Sequence, residues 1–317
     1  SFMDQYLISR RKALIRLARL GGGVAFSGMA GWPLTHHAPL ATAAPAPKKV
    51  LVEGIGQTDG YSVHALVKKV FDAAGGMNHF VSKGDIVVIK PNLSWARVPN
   101  LAATTNPEVL EAVVMLALDV GAKKVRIVDN TIHDARRCFG LTGAAMVAKK
   151  TGADLIFPRS SLFRRMDLGG ERLKIWPVLV PVVEADACIN LPIAKTHGLT
   201  GLTLGIKNWI GGIGGSRWSL HQDIHHSIVD LAAFFKPTVT LIDAIRIMTQ
   251  NGPSGGSPSD VAVKNALILS TDPVAGDAKA AGLFGVDPGA LNFIALGEKA
   301  GLGSARLDPL QQCRVTL

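Results

Sequence analysis

Residues 85–92 read DIVVIKPN, residues 104–121 read TTNPEVLEAVVMLALDVG, and residues 124–130 read KVRIVDN. The first and last segments are short, with apolar residues in a nearly unbroken row. Such rows suit strands of a parallel sheet covered on both faces. The segment between them predicts a helix, with Thr105 or Asn106 as N-cap, Pro107 in the first turn and Gly121 at the stop. Strand, helix and strand in that order form a βαβ unit, which implies a right-handed parallel crossover. Pro91 stops the first strand and leaves Lys90 and Asn92 at its carboxyl end. Ligands gather at that end in open α/β sheets.

Working outward, the same alternation continues. Residues 49–55 (KVLVEGI) predict a first strand, and residues 64–74 a helix with Leu66, Val67, Val70 and Phe71 on one side. Residues 136–151 predict a helix weakened by Gly140 and Gly143. Residues 153–157 predict a strand, and residues 166–180 an antiparallel hairpin turning at Gly169-Gly170. Further strands are expected at 184–190, 238–244 and 266–270, and helices at 227–235, 274–283 and 293–300. The fold class is therefore α/β: a mostly parallel, Rossmann-like sheet with helices on both faces and one small antiparallel hairpin. Residues 45–317 are expected to form a single domain.

Composition agrees. Of 317 residues, 48% are hydrophobic and 18% charged, enough for a sizeable core and too few charges for long disorder. The formal charge is +10, of which +6 lies beyond residue 45, an excess that favours anionic ligands. No motif of interleaved basic and aromatic residues supports nucleic-acid binding. The three cysteines, Cys138, Cys188 and Cys313, are far apart, so this chain alone cannot supply a four-cysteine iron–sulfur or zinc site. A Cys138–Cys313 bridge would need an oxidising compartment and a geometry that sequence does not supply.

Residues 182–230 hold the densest set of chemically able groups. Lys195 and His197 leave an apolar run, Lys207, Asn208 and Trp209 follow, then the glycines 211, 212, 214 and 215, then Arg217, His221, Asp223, His225 and His226. Polar residues also sit at other strand ends: Lys90 and Asn92, Asp129, Asp243 and Asp272. In a parallel sheet these ends converge on one rim. Lys90, Lys195 and Lys207, with Asn92, Asp129, Asn208 and Gly212, are the expected binding groups for an anion or cofactor, because lysines and glycine-exposed N–H groups suit a phosphate or carboxylate. The spacing matches neither Gly-x-Gly-x-x-Gly nor the Walker loop, so NAD and ATP lack support. His197 and His221 are the expected proton movers beside Lys195. His221 and His225, four apart and on one face if helical, with Asp243, form the candidate set for a divalent metal.

At the amino end, Arg10-Arg11 precede a glycine-rich, weakly apolar segment and small residues at 41–44. This resembles a twin-arginine export signal spanning residues 1–44, with Ala13 where phenylalanine is common. Ser1 and Phe2 ahead of Met3 resemble an expression scar. The expectation is a periplasmic protein whose partner during export is the twin-arginine translocase.

KPNLSW at 90–95, NPEVLEAV at 106–113, DACINLPIAKTHGLTGLTLGIKNWIGG at 186–212, LIDAI at 241–245, NGPSGG at 251–256 and STDPVAGDA at 270–278 resemble the family called domain of unknown function 362. The resemblance spans about residues 50 to 300 and implies a fold and a set of positions, not a reaction. Some members of that family carry ferredoxin-type cysteine clusters; this chain does not, so no iron–sulfur cluster is expected of it. A distant likeness of the family to nickel-dependent lactate racemases makes nickel a suggestion only. Two functions are expected from the residues: an enzyme acting on a small anionic substrate, metal-assisted if the histidine set assembles, or a non-catalytic periplasmic protein for binding, metal delivery or maturation of a redox partner.

Overall fold

The computed structural model describes residues 49–57, 60–308 and 310–317. The twin-arginine leader expected at 1–44 lies outside the described residues. Among those described, no helix is long and apolar enough to cross a membrane.

The strands are β1 (Val50–Ile55), β2 (Ile86–Pro91), β3 (Lys124–Val128), β4 (Asp154–Ile156), β5 (Phe163–Asp167), β6 (Ile175–Leu179), β7 (Ala187–Leu191), β8 (Ile193–His197), β9 (Gly201–Thr203), β10 (Val239–Met248), β11 (Val261–Ser270) and β12 (Gln311–Thr316). The helices are α1 (Val63–Ala73), α2 (Pro107–Asp119), α3 (Ala135–Leu141), α4 (Ala144–Thr151), α5 (Val180–Val183), α6 (Ile224–Phe235), α7 (Pro273–Ala281) and α8 (Asn292–Lys299). One ten-stranded sheet runs β12-β1-β11-β10-β7-β2-β3-β4, with β8 and β9 branching from β10; β5 and β6 form the separate hairpin. β10, β7, β2, β3 and β4 are mutually parallel in sequence along the sheet.

Both faces of this sheet are buried, and the strands show it residue by residue. Val87 and Ile89 of β2 pack with α1, α2, α3 and α4, whereas Val88 between them packs with α6, α7 and α8 on the other side. Period-two alternation along the apolar row Val87, Val88 and Ile89 is the signature of a two-faced core. Asn106 caps α2 through its side chain to Glu108 N, with Pro107 at the first position, as the sequence indicates.

From β2 the chain moves outward through β3 to β4, then returns through β7 on the opposite flank of β2. The order reverses between β2 and β7, which makes their carboxyl ends the topological switch point where α/β sheets bind ligands. Lys90 and Asn190 are register partners at that point.

Two expectations are corrected, and two further points were open in the sequence. The 136–151 helix is two helices, broken at Gly143, whose φ of +83° suits glycine. β12 escapes sequence reading because its alternation is weak and most of it is exposed. Asp272 does not join the ligand rim. β11 runs antiparallel to β10, with Ser270 opposite Thr240 near the start of β10, so Asp272 lies at the far edge. There it caps α7 through Ala275 N and pairs with Lys49 at 2.8 Å. Finally, Cys138 and Cys313 are both free thiols, the first buried within α3 and the second exposed on β12.

Candidate functional site

The floor of the site is a buried polar network at the β2/β7 switch point. Lys90 Nζ pairs with Asp129 Oδ1 at 2.7 Å and donates to Pro91 O at 2.7 Å and Asn208 Oδ1 at 3.2 Å. Asp129 Oδ2 accepts from Leu93 N at 2.7 Å. Asn208 donates to Lys90 O and to Asn190 Oδ1, and Asn190 in turn donates to Gly205 O. Burial draws the Lys90 ammonium below its ordinary range, against the opposing pull of Asp129. Lys90 and Asp129 thus satisfy one another and form the support of the site. The expectation that Lys90 itself holds an anion is corrected, because its three donor directions are occupied.

Above the floor is a cavity of about 260 Å³, lined among others by Asn92, Ser94, Trp95, Lys195, His197, Thr203, Lys207, Asn208, Gly211, Arg217 and His221. That is room for roughly eight or nine waters. Gly211 has to be glycine: a β-carbon there would overlap Asp129 Oδ1 and lie 2.7 Å from Lys90 Nζ. Gly212, expected at the site, instead faces Phe235, where a β-carbon would come within 2.7 Å of the ring. The recess of about 750 Å³ between the hairpin and α6 is larger, but it lies away from the strand ends. Its Asp230 is spent on the backbone N–H groups of Glu171, Arg172 and Leu173.

The charges of the smaller cavity are one-sided. Lys195, Lys207 and Arg217 line it, and among the described residues no aspartate or glutamate does. Lys195 comes from β8, which Pro192 separates from β7, and donates to Ala103 O at 2.5 Å. Its ammonium is held well below the usual lysine range by burial and then by the neighbouring Lys207 charge. Lys207 opens the 3-10 turn Lys207–Gly212 and is 8% exposed. Burial pushes it down to about 8. Arg217 donates to Asn130 O and Thr131 O, which leaves three of its five N–H groups for other acceptors. Thr203 Oγ1, also lining the cavity, is buried without a hydrogen-bond partner.

The two histidines at the cavity have opposite tautomers, fixed by their neighbours. His197 Nδ1 accepts the Leu199 N–H at 3.1 Å, so its neutral ring carries hydrogen on Nε2. Burial first, then the charges of Lys207, Lys195 and His221, push His197 down to about 3. It is a hydrogen-bond donor at neutral pH, and the expectation of a general base there is corrected. His221, exposed at the mouth, approaches Trp218 O at 3.1 Å through Nδ1. A carbonyl can only accept, so Nδ1 carries hydrogen and Nε2 keeps its lone pair.

The metal set is not brought together. His221 ends in the 3-10 turn Arg217–Asp223, whereas His225 belongs to α6 and stacks on Phe293 at 6.4 Å. Asp243 lies inside β10 and accepts from Asn106 N and Ile245 N, with burial raising it to about 6. Among the described residues, no three His, Cys, Asp or Glu side chains gather to hold a metal ion.

One anchoring residue escapes sequence reading. Asp277 of α7 accepts from Gly205 N at 2.7 Å and Ile206 N at 2.9 Å, and so fixes the turn that presents Lys207. Burial raises it to about 7. The sequence places Asp277 on a helix, but nothing local signals that this helix packs under the glycine-bearing turn.

Fold and site define an α/β protein with a cationic cavity at the switch point of a mostly parallel sheet. The profile of the family described as "Domain of unknown function (DUF362)" matches residues 87–282, and the chain belongs to that family. It is 27% identical over 249 residues to the thylakoid-associated protein sll1697 of Synechocystis sp., covering 76% of each chain. Among solved structures it is similar to the lactate racemase apoprotein of Thermoanaerobacterium thermosaccharolyticum, at 14% identity and a TM-score of 0.45, covering 74% of this chain and 56% of that one. It is also similar to a Thermotoga maritima protein, at 12% identity and a TM-score of 0.41, covering 70% and 59%. The chain thus spans less than two thirds of the length of either solved structure.

Proposed function

We propose that this protein is an enzyme acting on a small carboxylate- or phosphate-bearing anion held in the strand-end cavity. The observation that carries the reading is the charge imbalance: three cationic side chains line the cavity and, among the described residues, no carboxylate does. Asp129 beneath the floor attracts Lys195 and Arg217 but is already paired with Lys90, so the lining cations are only partly offset and a bound anion supplies the missing charge. The opposed tautomers support an enzyme, since His221 Nε2 can accept a proton while His197 Nε2–H can polarise a substrate oxygen. The depressed His197 favours the second reading, a binding protein without catalysis, because a ring that stays neutral can bind without cycling a proton.

Phosphate, sulfate or oxalate should raise the melting temperature beyond a chloride control of equal ionic strength. A free concentration of one hundred times Kd corresponds to about 2.7 kcal/mol. Lys195→Met should lose most of that gain. Equal stabilisation by chloride would remove the anion reading. Turnover of any candidate anion would separate the enzyme from the binding protein.

Export is a separate proposal, supported by Arg10-Arg11 ahead of a weakly apolar segment. Changing both arginines to lysine in the full chain should leave the protein in the cytoplasmic fraction of its host. Unaltered recovery from the periplasm would reject the twin-arginine route.

A further inference from the structure

Lys207 differs from the other two lysines of the site. Lys90 is saturated by Asp129, Pro91 and Asn208, and Lys195 donates to Ala103 O. Lys207 is as enclosed as a core residue and lines the cavity, yet no hydrogen bond or ion pair engages its Nζ among the described residues. Lys207 lines the cavity, so water there can serve its ammonium until a ligand replaces that water. Burial accounts for the lowering of Lys207, and holding a lysine in a desolvated pocket is a recognised way to make its amine a nucleophile toward carbonyl carbon.

We propose that Lys207 forms an imine with a small oxo acid whose carboxylate is held by Lys195 and Arg217. The inference rests on the anion-site reading above. The Lys207 nitrogen lone pair forms the new C–N bond while the carbonyl π pair moves to oxygen. One proton from that nitrogen and one from solvent leave on the oxygen as water, giving a protonated imine. No oxidant or reductant is required. His197 Nε2–H, fixed as a donor by Leu199, suits the carbonyl oxygen during attack, as a neutral imidazole can. His221 Nε2 suits the proton that leaves nitrogen. Burial brings Lys207 down to about 8, so about one amine in ten is already unprotonated at pH 7.

The test uses the full chain incubated with pyruvate or acetoacetate and then sodium cyanoborohydride, followed by peptide mass spectrometry. The expected result is a reduced adduct approaching one per chain, located at Lys207, and suppressed several-fold by excess oxalate, which has the charge but no reactive carbonyl. Lys207→Arg keeps the charge and should show no adduct there, with its fold verified by circular dichroism. Labelling spread over exposed lysines with none at Lys207, or located at Lys195, overturns the proposal. If pyruvate and oxalate both stabilise the protein and no Lys207 adduct forms, the imine is rejected and the anion site stands. If neither stabilises it and no adduct forms, both readings fail.

Discussion

Lys90→Met should lower folding stability by about 3–5 kcal/mol, the usual cost of breaking a buried ion pair from one side. Asp129 is fully buried, and its Oδ1 faces Lys90 Nζ at 2.7 Å. Removing the ammonium leaves that carboxylate uncompensated and also unpairs Pro91 O and Asn208 Oδ1. Methionine keeps the apolar stem and lacks only one heavy atom at the tip, so the loss reports charge and hydrogen bonding more than volume. A second substitution, Asp129→Asn, retains an acceptor for Leu93 N and removes the stranded charge, so the double variant should recover much of the loss. Urea denaturation of the four proteins checks this. A single-mutant loss below about 1 kcal/mol would show that Lys90 and Asp129 do not form the pair on which the floor depends.

Lys207→Met should act in the opposite direction on the unliganded protein, and abolish the anion effect. Lys207 falls from the ordinary 10.5 to about 8 through burial alone. That corresponds to about 3 kcal/mol of cost for the charged form. The sign follows from proton counting. Between about pH 8 and 10.5 the unfolded chain binds the Lys207 proton and the folded chain does not, so wild-type stability gains with rising pH over that window. Below pH 8 the cost is fully present. The methionine variant has no such cost, so it should be more stable than wild type by up to about 3 kcal/mol at pH 7 and should lose that advantage as pH approaches 10.5. Oxalate or phosphate at pH 7 should narrow the gap by stabilising wild type alone. Denaturation curves at pH 7 and pH 10 measure both effects. A variant less stable than wild type at pH 7 would mean that Lys207 contributes to the fold and is not a cation waiting for a ligand.

Much of this arrangement is legible in the residues. The apolar rows of β2, β3 and β7 identify a covered parallel sheet, and Asn106-Pro107 identifies the start of α2. The βαβ order then puts Lys90, Asn92 and Asp129 at one edge. The lysines at 195 and 207 fall in the same cavity as His197 and His221 because a short excursion from β8 cannot carry them far. Periodicity misleads where direction matters. Asp272 follows a strand as Asp129 does, yet β11 is reversed, and local sequence carries no sign of strand direction. Spacing misleads at His221 and His225, because four residues share a face only inside one helix, and a 3-10 turn gives way to α6 between them.

The sequence by itself determined the elements, the two-faced sheet and which residue types reach its carboxyl edge, since those follow from local periodicity and chain connectivity. Only the tertiary structure decided how the like residues divide their roles. Lys90 became a support because Asp129 of β3 and Asn208 of a distant turn meet its ammonium. Lys207 has no side-chain partner among the described residues, and Asp277, from an element seventy residues on, holds its turn by the backbone. His197 and His221 acquired opposite tautomers because one meets an N–H and the other a carbonyl. Each of these is a choice of partner across the fold, and partner choice depends on distances that the order of residues does not contain.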